Sequence, residues 1–367
     1  MTPATTTTAT HLLAEVLRQM PDPAAAVQSE ALEAELCAAF GTTHAIVVSS
    51  GTAALHTALA ACGIGTGDEV LVPALTVVMT IAAIIATGAR PVLVDASPEG
   101  HPLDLDDLAA KITPRTKAII PVHFAGRTGD LDGLLRLAAA RGLTVIEDAC
   151  QAHGSRYSGR LAGTFGTIGC FSLKDGKIIS CGEGGFLLAS DAIVAARAAS
   201  FRNHGLTAAL GRPARSTLGL NYRLAEPLAA IARASLSDLA AAVSGRRHQT
   251  SLLTSLVGDL DGLDPIHPPP GEEPNGYAAL WRIRWAEPRG FCERLDACGI
   301  VNSVGSFGLR AASAAPACRS LNLAACPHAE DLADHLLAIP VTARTTEAQI
   351  ADMASVVARE GARWRAC

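Results

Sequence analysis

Residues 45–63 read AIVVSSGTAALHTALAACG: a short β-branched run, a cluster of Ser, Ser, Gly and Thr, then apolar residues at helical spacing closed by Gly63. The spacing predicts a strand that turns directly into a helix. The same succession repeats downstream. EVLVPA (69–74), RPVLVDA (90–96), KAIIPVHF (117–124) and TVIEDA (144–149) read as strands, and TVVMTIAAIIATG (76–88), DLDDLAAKI (104–112) and DLDGLLRLAAARG (130–142) as helices. Short strands alternating with helices predict an α/β fold, a mostly parallel sheet with helices on both faces. In such sheets ligands gather at the carboxyl ends of the strands.

Outward from this block the pattern changes. Residues 11–40 read as helix, and residues 156–190 as short strands joined by Gly-rich turns, followed by a helix over 191–201. A long Ala/Leu-rich helix is expected over 224–247, then the polar, Pro-rich HPPPGEEPNG (267–276), then a smaller α/β unit. The expected organisation is a disordered Thr-rich tail over 1–10, a large domain over 11–245 and a small C-terminal domain over 246–367.

Composition excludes several classes. Of 367 residues, 49% are hydrophobic and 18% charged, which rules out intrinsic disorder. A net charge of −5 offers no basic field for nucleic acid. No apolar run reaches the roughly 18–20 residues that a membrane span needs. MTPATTTTAT lacks the basic and apolar regions of a secretory signal. The ten cysteines show no CxxC spacing, so neither a disulfide framework nor a zinc ribbon is expected, and the expected location is cytoplasmic.

Three constellations carry chemistry. Ser49-Ser50-Gly51-Thr52 joins a strand end to a helix start, where free N–H groups bind anions, phosphate above all; taken alone, the motif reads more readily as Ser50 or Thr52 plainly capping the helix. Asp148 ends a predicted buried strand, placed to meet a cationic ligand atom; with His153 alone it makes a thin metal site, and no metal is expected. Lys174 and Lys177 lie in the Gly-flanked FSLKDGKIISCGEGG (171–185). A lysine in a dry pocket forms Schiff bases with carbonyl compounds. The chain has only four lysines against 26 arginines, and Lys111 and Lys117 fall at the wrong ends of their elements for a carboxyl-edge site.

A phosphate-binding helix start, a carboxylate and a lysine, in this order, are what a pyridoxal phosphate enzyme requires. The chain resembles the DegT/DnrJ/EryC1/StrS aminotransferases, on the fold-type I pyridoxal phosphate scaffold, from about residue 28 to the last helix. The resemblance rests on SSGTAALHTAL, GDEVLVPALT, ITPRTKAIIPVHFAG, VIEDACQAHGS, GTIGCFS, the lysine five residues after that Ser, GEGG, RNHG (202–205), NYRLAEPLAA (221–230) and CPHAEDLADHLLAIPV (326–341). It implies that Lys177 forms the covalent link to pyridoxal 5′-phosphate and shuttles the proton. It further implies that Asp148 pairs with the pyridine nitrogen, Gln151 lies beside the ring hydroxyl, and Gly51, Thr52 and Ser172 contact the phosphate. Asn221 matches a residue that reaches the neighbouring subunit's phosphate, which implies a homodimer. Val77 stands where the family stacks an aromatic residue on the cofactor ring. Lys174 falls where no lysine is required.

The implied activity is transfer of an amino group from glutamate or glutamine to a keto-sugar or keto-cyclitol, in natural-product or amino-sugar biosynthesis. Alternatives are a family enzyme of different chemistry, by dehydration, decarboxylation or aromatisation as in amino-hydroxybenzoate synthase, whose branch Asp175-Gly176-Lys177 resembles, or a non-catalytic relative.

Overall fold

The structure is a computed structural model that describes residues 3–19, 26–98, 100, 102–206, 217–342 and 344–365. Helices α1 (Pro3–Gln19) and α2 (Val27–Phe40) precede β1 (His44–Val48), α3 (Gly51–Ala61), β2 (Glu69–Pro73), α4 (Val78–Ala86) and β3 (Arg90–Val94). Then follow α5 (Leu105–Ala110), β4 (Thr116–Ile119), α6 (Leu131–Arg141), β5 (Thr144–Asp148), the short β6 (Arg156–Tyr157) and β7 (Arg160–Leu161), β8 (Ile168–Ser172), β9 (Gly185–Ala189) and α7 (Ala192–Arg202). The chain continues through α8 (Glu226–Ser237), α9 (Leu239–Val257), β10 (Leu263–Pro265), β11 (Glu272–Glu273) and β12 (Ala278–Ile283). It ends with α10 (Pro288–Ala297), α11 (Pro327–His335), β13 (Leu336–Pro340) and α12 (Glu347–Arg365).

Seven strands form one sheet in the order β1-β9-β8-β5-β4-β2-β3. All run parallel except β9, which is antiparallel to both neighbours. A smaller antiparallel sheet, β10-β12-β13, lies in the C-terminal part. Helices cover both faces of the large sheet: Leu55, Leu59, Ile81 and Ile84 of α3 and α4 pack on one, Leu32, Leu36 and Phe40 of α2 on the other. A third core gathers Trp281, Phe291 and Leu295 around the smaller sheet. No single helix among the described residues is long and apolar enough to cross a membrane.

Three expectations change. The tail expected to be disordered is helical from Pro3, because α1 packs against α8 and buries Thr5, Ala9 and Val16. The helix expected over 224–247 is two helices bent by 62°, broken at Asp238, where φ/ψ of −95°/2° leaves the helical path. Residue 245, the expected boundary, lies inside α9, whose Val243 packs on Gly154 while Leu253 and Val257 enter the third core. The segment from Ala311 to Ala333 also joins the core beneath α3 and α4. The Asp95 carboxylate fixes it there, accepting from the N–H groups of Ala329 at 2.7 Å and His328 at 3.3 Å at the start of α11.

Beneath the carboxyl end of β5, the fully buried Glu147 carboxylate accepts from the N–H groups of Gly163, Phe165 and Gly166, each at 2.7 Å, and bonds His123 Nε2 at 2.9 Å. Burial works to raise its pKa, but the His123 bond and charge and the backbone donors outweigh burial and hold it below the ordinary value of 4.5. A depressed folded value means that Glu147 stabilises the fold fully above its unfolded pKa and that this is lost as pH falls through the folded one.

Glu147→Gln is expected to lower stability by about 1.5–3 kcal/mol at pH 7, the worth of hydrogen bonds to a charged group. In thermal unfolding, the gap to wild type should narrow as pH drops below the ordinary value of 4.5; a gap independent of pH would contradict this. Asp95→Ala, which uncaps α11, should cost about 1–2 kcal/mol in urea unfolding, and Asp95→Asn less.

Candidate active site

The carboxyl ends of β1, β5 and β8 bring the three sequence constellations to one edge of the sheet. Asp148, the last residue of β5, is only 3% exposed. Its Oδ2 accepts from Thr80 Oγ1 at 2.7 Å and its Oδ1 from the Cys150 N–H at 3.2 Å. Thr80, in the first turn of α4, also accepts from Thr76 Oγ1 at 3.1 Å, so a chain of hydroxyls aims the carboxylate. No cationic side chain pairs with Asp148 among the described residues.

At the end of β1 the chain passes straight into α3. Ser50 caps the helix, its Oγ accepting from Ala53 N–H at 3.0 Å, so the cap reading holds for Ser50. The N–H groups of Gly51 and Thr52 have no intrahelical partner and carry the positive end of the helix dipole. A side chain at residue 51 would bring its Cβ within 2.8 Å of Ser172 Cβ and 3.0 Å of Cys150 Sγ. Only glycine lets the helix start press against the ends of β5 and β8, and this closeness groups Gly51, Thr52 and Ser172.

The lysines separate on a turn. Lys177 N–H donates to the Lys174 carbonyl at 3.1 Å, and Gly176 takes φ of +86°, a conformation favouring glycine. Lys174 is exposed and Lys177 half-buried. Lys177 Nζ donates to Tyr277 Oη at 3.3 Å. Lys111 instead caps α5 and pairs with Asp107 at 2.7 Å, and Lys117 is an exposed residue of β4.

Cys150 ties these groups together electrostatically. Burial, then the Asp148 charge and hydrogen bond, push its thiol well up, and Lys177 pulls the other way. His153 is fully buried against Phe171 and Phe186, at ring distances of 5.2 and 6.0 Å. Burial, then the Lys177 and Arg246 charges, bring it down to about 3, so it is neutral and belongs to the packing.

Gln151 Oε1 accepts from Ala125 N–H at 2.7 Å, which fixes its side chain. Val77 is the residue before α4, 39% exposed, one turn ahead of Thr80. Asn221 is exposed, its backbone bridged to Asn203, and the next carbonyl, Tyr222, accepts from Ser49 N–H at 2.8 Å. Residues 207–216, which precede it, lie outside the described residues. A cavity of about 630 Å³ lies nearby, lined by Arg127, Arg247 and Glu272 but by neither Asp148 nor Lys177.

Sequence reasoning misses Thr80, Asn275, Tyr277 and Arg246. Thr80 is one hydroxyl inside an apolar helix pattern, with nothing to mark it. Tyr277 is one of only three tyrosines, so the same scarcity argument that singles out lysine could have found it.

Comparison with known proteins fits this geometry. Residues 14–358 match the DegT/DnrJ/EryC1/StrS aminotransferase family. The chain is 37% identical over 345 residues to the UDP-N-acetyl-3-dehydro-alpha-D-glucosamine 3-aminotransferase of Acidithiobacillus ferrooxidans, covering 90% of this chain and 88% of that one. It superposes on S. venezuelae DesV, solved in complex with a ketimine intermediate, with a TM-score of 0.85 and 34% identity over 96% of this chain and 94% of that one. It also superposes on 3-amino-5-hydroxybenzoic acid synthase with a TM-score of 0.86 and 30% identity, over 97% of each. With the strand order, the glycine-tight helix start and the aligned motifs in agreement, the chain belongs to the DegT/DnrJ/EryC1/StrS aminotransferase family.

Proposed function

We propose that this chain is a pyridoxal 5′-phosphate-dependent aminotransferase that moves an amino group from glutamate or glutamine to a ketone on a sugar or carbocycle. One observation carries the cofactor: Asp148 is a buried carboxylate held by the Thr80 hydroxyl and by the N–H and thiol of Cys150, with no cationic partner among the described residues. A buried charge left in that state costs several kcal/mol. A ligand with a protonated ring nitrogen fits it. The phosphate of the same ligand fits the open N–H groups of Gly51 and Thr52 beside Ser172, its aldehyde fits Lys177, and its ring hydroxyl fits Gln151. When bound, pyridoxal phosphate supplies an electron sink that lets an amino acid lose its α-proton.

The chain's own residues do the rest. Asp148, oriented by Thr80 and the Cys150 N–H, keeps a negative charge facing the ring nitrogen. With the cofactor bound, Lys177 Nζ would take the proton from the donor's α-carbon and hand it to the cofactor, and would carry a proton the opposite way for the keto substrate. The start of α3 holds the phosphate still while the proton moves. Val77 offers the ring an aliphatic contact where an aromatic one would add about 1 kcal/mol. The sugar reading draws on the Acidithiobacillus relative, whose name gives a dehydro-sugar nucleotide as substrate.

We also assign the chain to a homodimer in which Asn221 completes the neighbouring phosphate site. Asn221 is exposed, next to Leu218 at 95% and Leu220 at 41% exposure, an apolar edge that a second subunit would cover. A second reading, an enzyme of different chemistry such as aromatisation, is favoured by Asp175-Gly176-Lys177 and by the likeness to 3-amino-5-hydroxybenzoic acid synthase.

The test follows the cofactor spectroscopically. Glutamate or glutamine should convert the lysine-bound cofactor to its amine form, and a panel of keto-sugars and keto-cyclitols should convert it back. Cofactor absorbance with no donor response would eliminate the aminotransferase reading and leave the second. Lys177→Ala should abolish the visible absorbance of the lysine-bound cofactor and slow the donor reaction by about 10²–10⁴-fold. Thr80→Val removes one donor from Asp148, so cofactor affinity should weaken by about 1–3 kcal/mol in an equilibrium titration. An unchanged affinity would show that Thr80 does not orient the carboxylate.

A further inference from the structure

Tyr277 does not belong to the elements that form the edge of the large sheet. It precedes β12, in the C-terminal part, yet its Oη accepts from Lys177 Nζ at 3.3 Å, the one side-chain hydrogen bond of that amine among the described residues. The segment that delivers it is firmly held. Asn275 is fully buried; its Nδ2 donates to the carbonyls of Gln151 at 2.8 Å and His153 at 3.1 Å, and its N–H to Ser155 Oγ at 3.2 Å. Asn275 Oδ1 in turn accepts from the Tyr277 N–H at 3.0 Å. Gly276, at φ of +72°, lets this segment lie on α9, for a Cβ there would fall 2.5 Å from the Arg246 carbonyl carbon.

Arg246 supports the phenol from the other side. It is 5% exposed, with its guanidinium 5.8 Å from the Tyr277 ring centroid and Nη2 donating to the Gly176 carbonyl at 3.0 Å. Its Nε has no partner, and no carboxylate pairs with it among the described residues. A buried cation therefore braces both the turn that carries Lys177 and the ring that receives its amine. Burial, the larger effect, lowers the Arg246 pKa.

We propose that Tyr277 is a positioning residue for Lys177: its hydroxyl holds the amine, when that amine is not bonded to the cofactor, where it can pass a proton. A lysine on four rotatable carbons otherwise samples many rotamers, and small displacements of a proton-transfer group cost large rate factors. This rests on the cofactor reading above and goes beyond it, because it makes Lys177's placement depend on a residue of the C-terminal part.

Tyr277→Phe keeps the ring against Arg246 and removes only the hydroxyl. Two measurements test it. In the cofactor-free protein, acylation of Lys177 by a small water-soluble reagent, followed by peptide mass spectrometry, should speed up by about three- to tenfold, the range of one ordinary hydrogen bond. Lys174, exposed on the same turn, should label at the wild-type rate. In the cofactor-loaded enzyme, kcat for the donor reaction should fall by about ten- to a hundredfold, with KM and cofactor affinity unchanged. Tyr277→Ala, which also removes the ring, should weaken stability as well.

If Tyr277→Phe leaves both Lys177 labelling and kcat at wild-type values, the proposal is wrong. If either changes without the other, the hydroxyl does not act through Lys177 and the proposal is likewise overturned. A wild-type protein that takes up no pyridoxal phosphate would overturn the cofactor reading and this proposal together. A failure confined to Tyr277→Phe, in an enzyme that binds the cofactor normally, leaves that reading intact.

Discussion

A carboxylate taken out of water must be answered by donors or by a positive charge, and among the described residues Asp148 has the Thr80 hydroxyl, the Cys150 N–H and the Cys150 thiol but no cation to answer it. Much of the site can be understood from that shortage. The Thr76–Thr80 hydroxyl chain at the start of α4, whose Thr76 Oγ1 also reaches the Val77 carbonyl at 3.3 Å, ends on that carboxylate. The turn between β2 and α4 must therefore lie over the end of β5, which also sets Val77 at the rim. Glu147, one residue earlier, is the contrasting case: three N–H groups and His123 satisfy it completely, so it serves structure. Two adjacent carboxylates on one strand thus point to opposite faces, and the number of donors around each separates their tasks.

The close approach of backbone segments at the sheet edge is the second constraint. Gly51 presses on Ser172 and Cys150, and a Cβ at Gly185 would fall 2.4 Å from the Ser50 carbonyl oxygen. These contacts bring the end of β1, the end of β8 and the start of β9 together. β9 running against its neighbours allows this, because β8 and β9 are joined directly by the 173–184 segment that carries Lys177. A parallel β9 would have required a crossover helix in that place.

Much of this was legible in the sequence because it depends on local pattern. Short β-branched runs alternating with helical spacing gave the sheet, and strand-end position singled out Asp148. Scarcity left four lysines, position on the sheet narrowed them to two, and the resemblance selected Lys177. What was not legible depends on tertiary contact. A Thr-rich segment has weak helix propensity, yet α1 forms because Thr5, Ala9 and Val16 find a partner surface on α8. The break at Asp238 is one polar residue in an Ala/Leu pattern that otherwise continues. The return of residues 311–333 to the first core hinges on Asp95, more than 230 positions away from the N–H groups it receives. Tyr277 is likewise 100 positions from Lys177, too distant for any periodicity to connect them.

The helix α9 has a consequence of another kind. Its first half packs on Gly154 and its second half enters the C-terminal core, while residues 311–333 cross back the other way. Two strands of covalent chain therefore stitch the halves in both directions. A gene cut near residue 245 would sever a helix that neither fragment could complete. Recombination among relatives is thus expected to preserve this span as one inherited block, and new specificities to arise by changing residues within it rather than by exchanging whole domains.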